Sequence, residues 1–529
     1  MSNEDQEISD IVNEPTNNIG ERRLRRGGRS QREKPNSVQK PFYQPRLRYA
    51  PMNAVSADEL EAIHDASLDV LQEIGVDVIH DQAKTLFQIG GAEVDPNSDR
   101  VRFPKGMVDG AIKTCPSSFR LHARNPAHDI WVGDDYLFFT QVASAPNATD
   151  LDRGRRPGNH EDYKDLLKLG QSYNIIHANG GYPVEPVDIH ASIRHLTCLS
   201  DVVKLTDKAF HMYSLGKERN RDGIEIVRIA RGITNEQLDQ ECSSMTIINS
   251  SSPLRLDTPM MQGIIEMSSR NQMVVMTPFT LAGAMAPVTI AGALVQQNAE
   301  ALAGMTLTQL VRKGAPVVYG GFTSNVDMKS GAPAFGTPEY MKAAHVGGQL
   351  ARRYNVPYRT SNVCAANHPD AQAAYESVFS LWGAVMGGGN MIKHAAGWLE
   401  GGLSTSFEKF IIDVDLLQMV SEFLDPLVVD QDCLGLEAMR DVGPGGHFFG
   451  TPHTQSRYKD AFYAPLVSDW RNFESWQEAG SPTAEQKANR IWKDTLARYE
   501  RPALDPAVEE ELDAFVAKRI EEGGAPTDF

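Results

Sequence analysis

Short runs of apolar, β-branched and aromatic residues recur through the middle of the chain, each bounded by turn-forming or charged residues. Such runs are typical of parallel strands, which are buried on both faces. Each run is therefore predicted to form a strand. The eight runs are LFFTQVAS (137–144), NIIHA (174–178), AFHMY (209–213), SMTIIN (244–249), MVVMT (273–277), PVVYG (316–320), PYRTS (357–361) and NMIKH (390–394).

Segments with the 3.6-residue periodicity of helices follow each run. Alternating strands and helices build a parallel sheet covered by helices, and eight such units are the number that closes a barrel. We predict an α/β fold, a (β/α)8 TIM barrel over residues 137–425. An open doubly wound sheet is the alternative, because a count of units does not prove closure. The predicted helices are 160–172, 191–203, 221–231, 257–270, 289–313, 338–354, 369–387 and 405–422.

The segments on either side of this series have other patterns. Ser56 and Glu59 form a capping box ahead of apolar residues at helical spacing, and short strand-like pieces follow. The final hundred residues are first aromatic and turn-rich and then carry two capped amphipathic helices. The predicted organisation is a leader (1–50), an N-terminal accessory helix and small β layer (51–136), the barrel (137–425) and a C-terminal flank (426–529).

Charge is distributed unevenly along the chain, with a basic segment near the N-terminus. The chain has a formal net charge of −17, yet residues 21–48 contain ten Lys and Arg against two Asp and Glu. This leader is predicted to be disordered, either solvated or in contact with RNA, an acidic partner or the acidic body. That acidic body argues against nucleic-acid binding by the main domain. No apolar run approaches the ~20 residues that span a bilayer, and the acidic start is not a secretory signal, so we expect a cytoplasmic protein.

Familiar chemical motifs do not occur in the sequence. The five cysteines are dispersed without a CxxC pair, which argues against a disulfide framework and a structural zinc site. The pairs His190 and His195, and His447 and His453, have no obvious third ligand, so no metal site is predicted. HExxH, P-loop and GxSxG motifs are also absent. The organisation of the fold must therefore locate the chemistry.

In a (β/α)8 barrel, the active site lies on the loops that follow the strands. The eighth run leads into the glycine-rich stretch HAAGWLEGG (394–402), where glycines permit tight turns near a ligand. The predicted rim therefore carries His394, Trp398 and Glu400. We expect His394 and Glu400 to be catalytic and Trp398 to bind substrate.

Aromatic residues also concentrate on the loops after other runs, and the loop after the sixth run is much longer than the usual 2–6 residues. Aromatic faces near a carboxylate suit a methylated ammonium ion, whose charge is attracted by the ring quadrupoles. Trp382, in the middle of a predicted helix, is expected to pack instead. The predicted substrate-binding rings on these loops are Tyr182, Phe279, Phe322, Phe335 and Tyr340.

Lys393 suggests a different chemistry, a Schiff base in an unrelated barrel enzyme such as a lyase. Successive residues of a strand face opposite sides. If His394 faces the barrel interior, Lys393 should therefore point outward, which disfavours this alternative.

Several segments resemble the trimethylamine methyltransferase family, the corrinoid-linked methyltransferases of methylated amines, which has pyrrolysine-containing and pyrrolysine-lacking members. The resemblance spans roughly residues 51–500 and implies a (β/α)8 barrel with its site at the carboxyl ends of the strands. It is carried by LDRGRRPGNHEDYKDLLKL, INSSSPLRLD, TPFTLAGAMAPVTIAGALVQQNAEALAG, PVVYGGFTSNVDMKSGAPAFGTPE, PDAQAAYES, HAAGWLEGGLSTSFEKF and GGHFFGTPHTQSRY.

The resemblance also implies a reaction. A methyl group leaves a quaternary or tertiary amine for the cobalt of a corrinoid (cobalamin) on a cognate partner protein, or for a tetrahydrofolate carrier. A quaternary substrate has no N–H group, so recognition must rest on aromatic rings and a carboxylate. A noncatalytic betaine-binding barrel is the alternative from another class, and the oligomeric state stays open.

One segment departs from the pattern of the pyrrolysine members. Their pyrrolysine precedes the PD that opens the seventh helix, where this chain reads NVCAANHPD and places Asn367. Asn367 is therefore a third catalytic candidate, and the chain is predicted to be a non-pyrrolysine member. This departure favours a quaternary amine such as glycine betaine over trimethylamine. A backbone amide cluster, His345, His394 or an arginine is expected to meet the betaine carboxylate.

Overall fold

The computed structural model describes residues 39–527, so most of the predicted basic leader lies outside the described residues. Within this range, no helix is both long and apolar enough to cross a membrane. The α-helices are α1 (Ala57–Asp69), α2 (Asp81–Ile89), α3 (Lys105–Ile112), α4 (His160–Ser172), α5 (Arg194–Leu205), α6 (Lys217–Arg231), α7 (Asn235–Leu238), α8 (Thr258–Ser269), α9 (Ile290–Val311), α10 (Pro338–Tyr354), α11 (Ala371–Met386), α12 (Phe407–Leu424), α13 (Leu436–Val442), α14 (Pro452–Gln455), α15 (Phe473–Glu478), α16 (Ala484–Ala497) and α17 (Pro506–Glu521).

The strands are two to five residues long. They are β1 (Val76–Val78), β2 (Glu93–Val94), β3 (Arg100–Arg102), β4 (Ser118–Leu121), β5 (Ile130–Gly133), β6 (Phe138–Phe139), β7 (Asn147–Thr149), β8 (Arg156–Pro157), β9 (Phe210–His211), β10 (Ser244–Ile248), β11 (Arg255–Leu256), β12 (Met273–Met276), β13 (Leu281–Ala282), β14 (Val317–Gly320), β15 (Ser324–Val326), β16 (Pro333–Ala334), β17 (Tyr358–Ser361), β18 (Met391–Lys393), β19 (Trp398–Leu399) and β20 (Ser404–Ser406).

Seven parallel strands form the central sheet, in the order β6–β18–β17–β14–β12–β10–β9. Neighbouring strands pair in register, for example Thr246 with Val274. Ala178 forms parallel bridges to Thr140, next to β6, and to Ala209, next to β9. The protein is thus an α/β fold whose parallel sheet is curled, with the segment around Ala178 beside both edge strands.

The predicted alternation of strands and helices is confirmed in order and type. The predicted helices 160–172 and 338–354 coincide with α4 and α10, and the other six shift by a few residues at their ends. Seven of the eight predicted runs contain a strand of the central sheet. The run 174–178 is the exception, because it contributes only the bridge at Ala178.

A buried lysine explains this exception. The ammonium group of Lys208, a side chain that is 2% exposed, donates to three carbonyl groups in and before the run. These carbonyls belong to Gly170, Tyr173 and Ile176, at 2.7, 2.7 and 2.5 Å. Only Ile176 of the three lies in the run. Its N–H group donates to the carbonyl of Tyr173 at 3.0 Å, so the run begins as a turn, and its own carbonyl bonds the cation instead of a neighbouring strand.

The two faces of the central sheet contribute to different cores. Phe138, Met245, Val275 and Met391 meet on the concave face. Ile392, the neighbour of Met391, belongs instead to the large core between the sheet and the helices. Since side chains alternate along a strand, residue 393 faces the concave side together with Met391.

Smaller sheets flank the central one. The sheet β11–β1–β3–β2 lies mainly in the N-terminal layer, where the predicted capping box of Ser56 and Glu59 is confirmed at the start of α1. Two others, β13–β15–β16 and β19–β20–β7–β8, are formed largely by the loops that follow the carboxyl ends of the central strands. We call these two the cap sheets, because they position the side chains described below.

The predicted C-terminal helices are confirmed as α16 and α17. Helix α16 packs against both α12 and α4, the last and first helices of the alternating series. Trp492 Nε1 and Asn489 Nδ2 each donate to Glu408 on α12 at 2.9 Å. The C-terminal flank therefore covers the place where the series begins and ends.

Helices α10 and α11 approach so closely that Gly348 has no room for a side chain. A Cβ atom at Gly348 would lie 1.9 Å from the carbonyl oxygen of Gly387. Gly348→Ala should therefore lower the free energy of unfolding by about 1–3 kcal/mol, as overpacked sites do. The control is Gly110→Ala in α3, where nothing lies within 4 Å; it should raise stability by up to about 1 kcal/mol. Urea unfolding midpoints measure both, and equal shifts would contradict this packing.

Candidate active site

Five aromatic rings cluster where the central strands end, carried by the cap sheets and the loops beside them. Phe322, just after β14, is at the centre of this group. Its ring centroid lies 5.2 Å from that of Phe279, 5.5 Å from Phe335 and 6.1 Å from Trp398. Tyr340, in the first turn of α10, is 6.3 Å away. We call these five side chains the ring cluster.

The polar atoms of the ring cluster have hydrogen-bond partners. Trp398 Nε1 donates to the carbonyl of Cys364 at 2.9 Å, and the Tyr340 hydroxyl donates to the carbonyl of Ser361 at 2.8 Å. Burial raises the pKa of Tyr340, so its hydroxyl stays protonated. These contacts fix the rings in place. Phe279 is the half-buried member, so it marks the solvent side of the cluster.

His394 lies against the ring cluster. Its ring centroid is 4.4 Å from that of Trp398 and 5.8 Å from that of Phe322, and its Nδ1 lies 3.2 Å from Ser361 Oγ. The backbone of His394 has a φ of 55°, in the left-handed region that non-glycine residues rarely adopt. Burial, together with nearby basic side chains, lowers the pKa of His394 well below its usual value. The imidazole is therefore neutral at pH 7.

Three further basic side chains lie next to His394. They are Arg359 in β17, Lys393 at the end of β18 and His211 at the end of β9, and all three are buried. Arg359 Cζ lies 5.1 Å from the ring centroid of Phe322, so this group adjoins the ring cluster. We call these three side chains the basic floor.

The prediction that Lys393 points outward is wrong. Its side chain is only 3% exposed, and its ammonium group donates to the carbonyl of Gly180. The error came from counting the alternation from His394. Because His394 lies beyond β18 and has a positive φ, the alternation ends at Lys393, which faces the concave side with Met391.

Glu400 and Asn367, the other two predicted catalytic residues, occupy different environments. Both carboxylate oxygens of Glu400 accept from Arg155 Nε at 3.0 Å, and the Glu400 N–H group donates to the carbonyl of Ala366 at 2.8 Å. Asn367 is exposed on the same loop as Ala366. The structure thus gives Glu400 a guanidinium partner and Asn367 a solvent position, and their catalytic roles stay predictions.

Tyr182 and His345 lie outside the ring cluster. Tyr182 belongs to a separate group of rings. Its ring centroid lies 4.7 Å from that of Tyr213, on which it stacks, and 5.8 Å from that of Tyr163. His345 is buried within α10, where its Nε2 has no hydrogen-bond partner, and burial lowers its pKa. Substrate contacts by these two residues stay predictions that this arrangement does not favour.

A buried ion pair, missed in the sequence, anchors the loop that carries Trp398. Lys409 Nζ lies 2.5 Å from Asp413 Oδ1 and 2.8 Å from Ser377 Oγ. The other Asp413 oxygen accepts from the Gly397 N–H group at 2.9 Å. The sequence contained a signal for this pair, because FEKFIIDVDLL is an apolar stretch with opposite charges four residues apart. A similar signal for a buried charge was Arg359, which lies inside the strand run PYRTS.

In residues 39–527, no group of three or more His, Cys, Asp or Glu side chains could hold a metal ion. A cavity of about 260 Å³ lies at the opposite ends of the central strands, against Pro357 and Asn390, so it is separate from the ring cluster. The rings themselves contact one another. A ligand that enters among them therefore requires at least one ring to move.

Residues 22–524 match the family model described as trimethylamine methyltransferase (MTTB). A glycine betaine methyltransferase of Desulfitobacterium hafniense (strain Y51) is 35% identical over 473 residues, 89% of this chain and 98% of that protein. A trimethylamine methyltransferase MttB of Desulfitobacterium hafniense (strain DSM 10664 / DCB-2) is 28% identical over 89% of this chain and 94% of that protein. A solved structure titled "Crystal structure of the hydroxylamine MtmB complex" aligns with a TM-score of 0.47 and 11% identity, over 87% of this chain and 97% of that chain.

Proposed function

The chain belongs to the trimethylamine methyltransferase family and is a methyltransferase, and we propose that it demethylates a quaternary or tertiary amine of the glycine betaine type. The observation that carries this proposal is the ring cluster around Phe322. Ring quadrupoles attract a methylated ammonium ion, which offers no N–H group for a hydrogen bond. The 35% identity to a glycine betaine methyltransferase, against 28% to a trimethylamine methyltransferase, supports a quaternary substrate.

We infer that the central sheet closes into an eight-stranded (β/α)8 barrel. The bridges from Ala178 to Thr140 and Ala209 support closure, because these residues adjoin the two edge strands. The contact from Lys393, in β18, to the carbonyl of Gly180 also supports it. In such a barrel the active site lies at the carboxyl ends of the strands, and the ring cluster has that position.

The proposed reaction is a displacement at carbon. The bond between the methyl carbon and nitrogen breaks, its electron pair stays on nitrogen, and the cationic amine leaves as a neutral amine without a proton transfer. Positioning of the methyl group and exclusion of water therefore dominate catalysis. The lowered pKa of His394 suits a site that binds a cation. A neutral imidazole next to Trp398 does not repel the substrate cation, as an imidazolium ion would.

A corrinoid on a partner protein is the proposed methyl acceptor, and in its reduced state it supplies the nucleophile. The cap sheets and their loops offer exposed apolar side chains that fit a partner at this end of the molecule. Val288, Met328 and Leu403 are 67%, 71% and 57% exposed there. Contact at this position would bring the acceptor to the solvent side of the ring cluster.

Incubation of the protein with glycine betaine and free Co(I) cobalamin under reducing conditions should produce dimethylglycine. The absorbance of Co(I) should fall at the same rate, and a mixture without protein provides the background. Calorimetric binding of glycine betaine without turnover, with or without a corrinoid-binding protein, would identify a noncatalytic binder instead. Absence of methyl transfer from every member of a panel of betaines would refute the proposed function.

A further inference from the structure

The basic floor is a group of three buried basic side chains that have no carboxylate partner among residues 39–527. Arg359 donates to the carbonyl of Gly321 at 3.2 Å, but its Nε has no hydrogen-bond partner. Within residues 39–527, the ammonium group of Lys393 bonds only to the carbonyl of Gly180. Both ring nitrogens of His211 are buried without a hydrogen-bond partner in the same part of the chain. Among the described residues, no carboxylate forms an ion pair with any of the three.

Such a group is costly to bury. An ionised side chain that leaves water requires a charge partner and hydrogen bonds to offset the loss of hydration. The chain meets this requirement elsewhere, since the buried ammonium of Lys409 has the carboxylate of Asp413. The basic floor keeps the guanidinium group of Arg359, the amine of Lys393 and several unused hydrogen-bond donors in one place. An anionic group is therefore the ligand that complements this site.

We propose that the basic floor binds the carboxylate of the substrate, so that the enzyme selects zwitterionic N-methylated amino acids over methylated amines without an acid group. This inference rests on the proposed function, because it names the substrate class of the same site. His394, which contacts both Trp398 and Phe322, lies between the two halves of the site.

The arrangement also fixes the orientation of the substrate. Arg359 adjoins Phe322 from the concave side of the sheet, whereas Phe279 is at the solvent side of the ring cluster. A zwitterion with its carboxylate on the basic floor has its ammonium group among the rings. At least one N-methyl group then points toward the solvent side, where the methyl acceptor arrives. The carboxylate contact is therefore a positioning contact for the reaction as well as a source of affinity.

A panel of three ligands separates the charges of the substrate. Glycine betaine has both charges, 3,3-dimethylbutyrate has the same shape and carboxylate without the cation, and choline has the cation with a hydroxyl in place of the carboxylate. The protein should bind glycine betaine more tightly than choline. Arg359→Gln and Lys393→Met should each weaken glycine betaine and 3,3-dimethylbutyrate by at least about thirtyfold, as loss of a buried charge partner does, and leave choline nearly unchanged. Calorimetry measures all three.

Lys208→Met is the matched control, because Lys208 is also a buried lysine but bonds three carbonyls near Ala178. It should lower the thermal midpoint and leave the affinity for glycine betaine unchanged. Lys393→Met should raise the thermal midpoint and weaken the binding of glycine betaine, because it removes a buried basic group whose loss of hydration no carboxylate offsets among the described residues. A lowered midpoint with unchanged affinity in Lys393→Met would assign Lys393 a structural role and overturn the proposal.

Binding of the carboxylate should also be coupled to proton uptake. Burial and the charge of Arg359 hold the pKa of Lys393 well below its usual value, and burial with the charges of Lys393 and Arg359 does the same for His211. A bound carboxylate raises these pKa values. The protein should therefore take up protons when it binds glycine betaine and not when it binds choline. Calorimetry in buffers of different ionisation enthalpy measures this uptake.

These measurements need no methyl acceptor, so they can fail separately from the proposed function. Carboxylate selectivity without methyl transfer would support the basic floor and refute the methyltransferase reaction with these substrates. Methyl transfer with equal affinities for glycine betaine and choline in all variants would do the reverse. If chloride or phosphate stabilised the protein through Arg359 and Lys393 while glycine betaine affinity stayed unchanged in the variants, the basic floor would hold an inorganic anion and the proposal would be wrong.

Discussion

Replacing Trp398 with alanine should weaken the binding of glycine betaine about tenfold or more, because a desolvated cation–π contact contributes about 1–2 kcal/mol. Trp398 is 6% exposed, and its ring lies 5.9 Å from that of Phe335 and 4.4 Å from that of His394. Removal of the indole takes away the largest aromatic surface of the cluster and admits water beside the cation. Titration calorimetry measures the change, and methyl transfer at low substrate concentration should fall by a similar factor.

Trp382→Ala is the control for this experiment. The ring centroids of Trp382 and Phe423 lie 5.2 Å apart, between α11 and α12 and away from the ring cluster. Its replacement removes the same side chain, so it should lower stability without changing the dissociation constant. If Trp398→Ala bound glycine betaine as tightly as the unmodified protein, the indole would have only a packing role and the ring cluster would lose its proposed function.

Lys409→Met should lower the free energy of unfolding by about 3–5 kcal/mol, the usual result when one partner of a buried ion pair is removed. Both side chains of the pair are 1% exposed, so Asp413 would remain as a buried carboxylate without its cation. Burial already raises the pKa of Asp413, and loss of Lys409 should raise it further. The folded state then binds more protons than the unfolded state, so the loss of stability should be smaller at pH 5 than at pH 8.

Lys518→Met is the matched control, since Lys518 and Glu522 also form a pair four residues apart but are exposed, at 3.9 Å. An exposed pair contributes about 0–1 kcal/mol, so this variant should be nearly as stable as the unmodified protein. Urea unfolding of both variants at the two pH values tests the comparison. Equal losses, or a loss that does not depend on pH, would show that Asp413 does not carry an uncompensated charge when Lys409 is absent.

The sequence was sufficient to predict the order and type of the elements, because period-2 and period-3.6 patterns are local. It also placed Phe322, Phe335 and Trp398 at one end of the sheet, since all three follow runs whose carboxyl ends point the same way. Their mutual contacts follow from that topology together with the glycine-rich loops. The contribution of 174–178 was overestimated, because no local pattern shows that its first residues form a turn beside Lys208.

The direction of individual side chains was harder to predict. The alternation argument for Lys393 failed because a single residue with a positive φ, His394, follows the strand. Glu400 was expected in the site, but its partner Arg155 is distant in sequence and could not be identified from spacing. An arginine was among the expected partners of the betaine carboxylate, but the sequence did not identify Arg359 or the basic floor, for a related reason. Arg359 and Lys393 lie on the neighbouring strands β17 and β18, but His211 comes from the edge strand β9 and meets them only when the sheet curls.

The contacts of α16 have a consequence for biosynthesis. A ribosome delivers α4 and α12 before it has translated Trp492 and Asn489, the two side chains that donate to Glu408. The nascent chain therefore exposes the boundary between its first and last helices until almost the whole polypeptide has been made, which is the period when partly folded chains aggregate. A premature stop codon before residue 484 would leave that boundary open permanently, so such products should become substrates for chaperones and proteases.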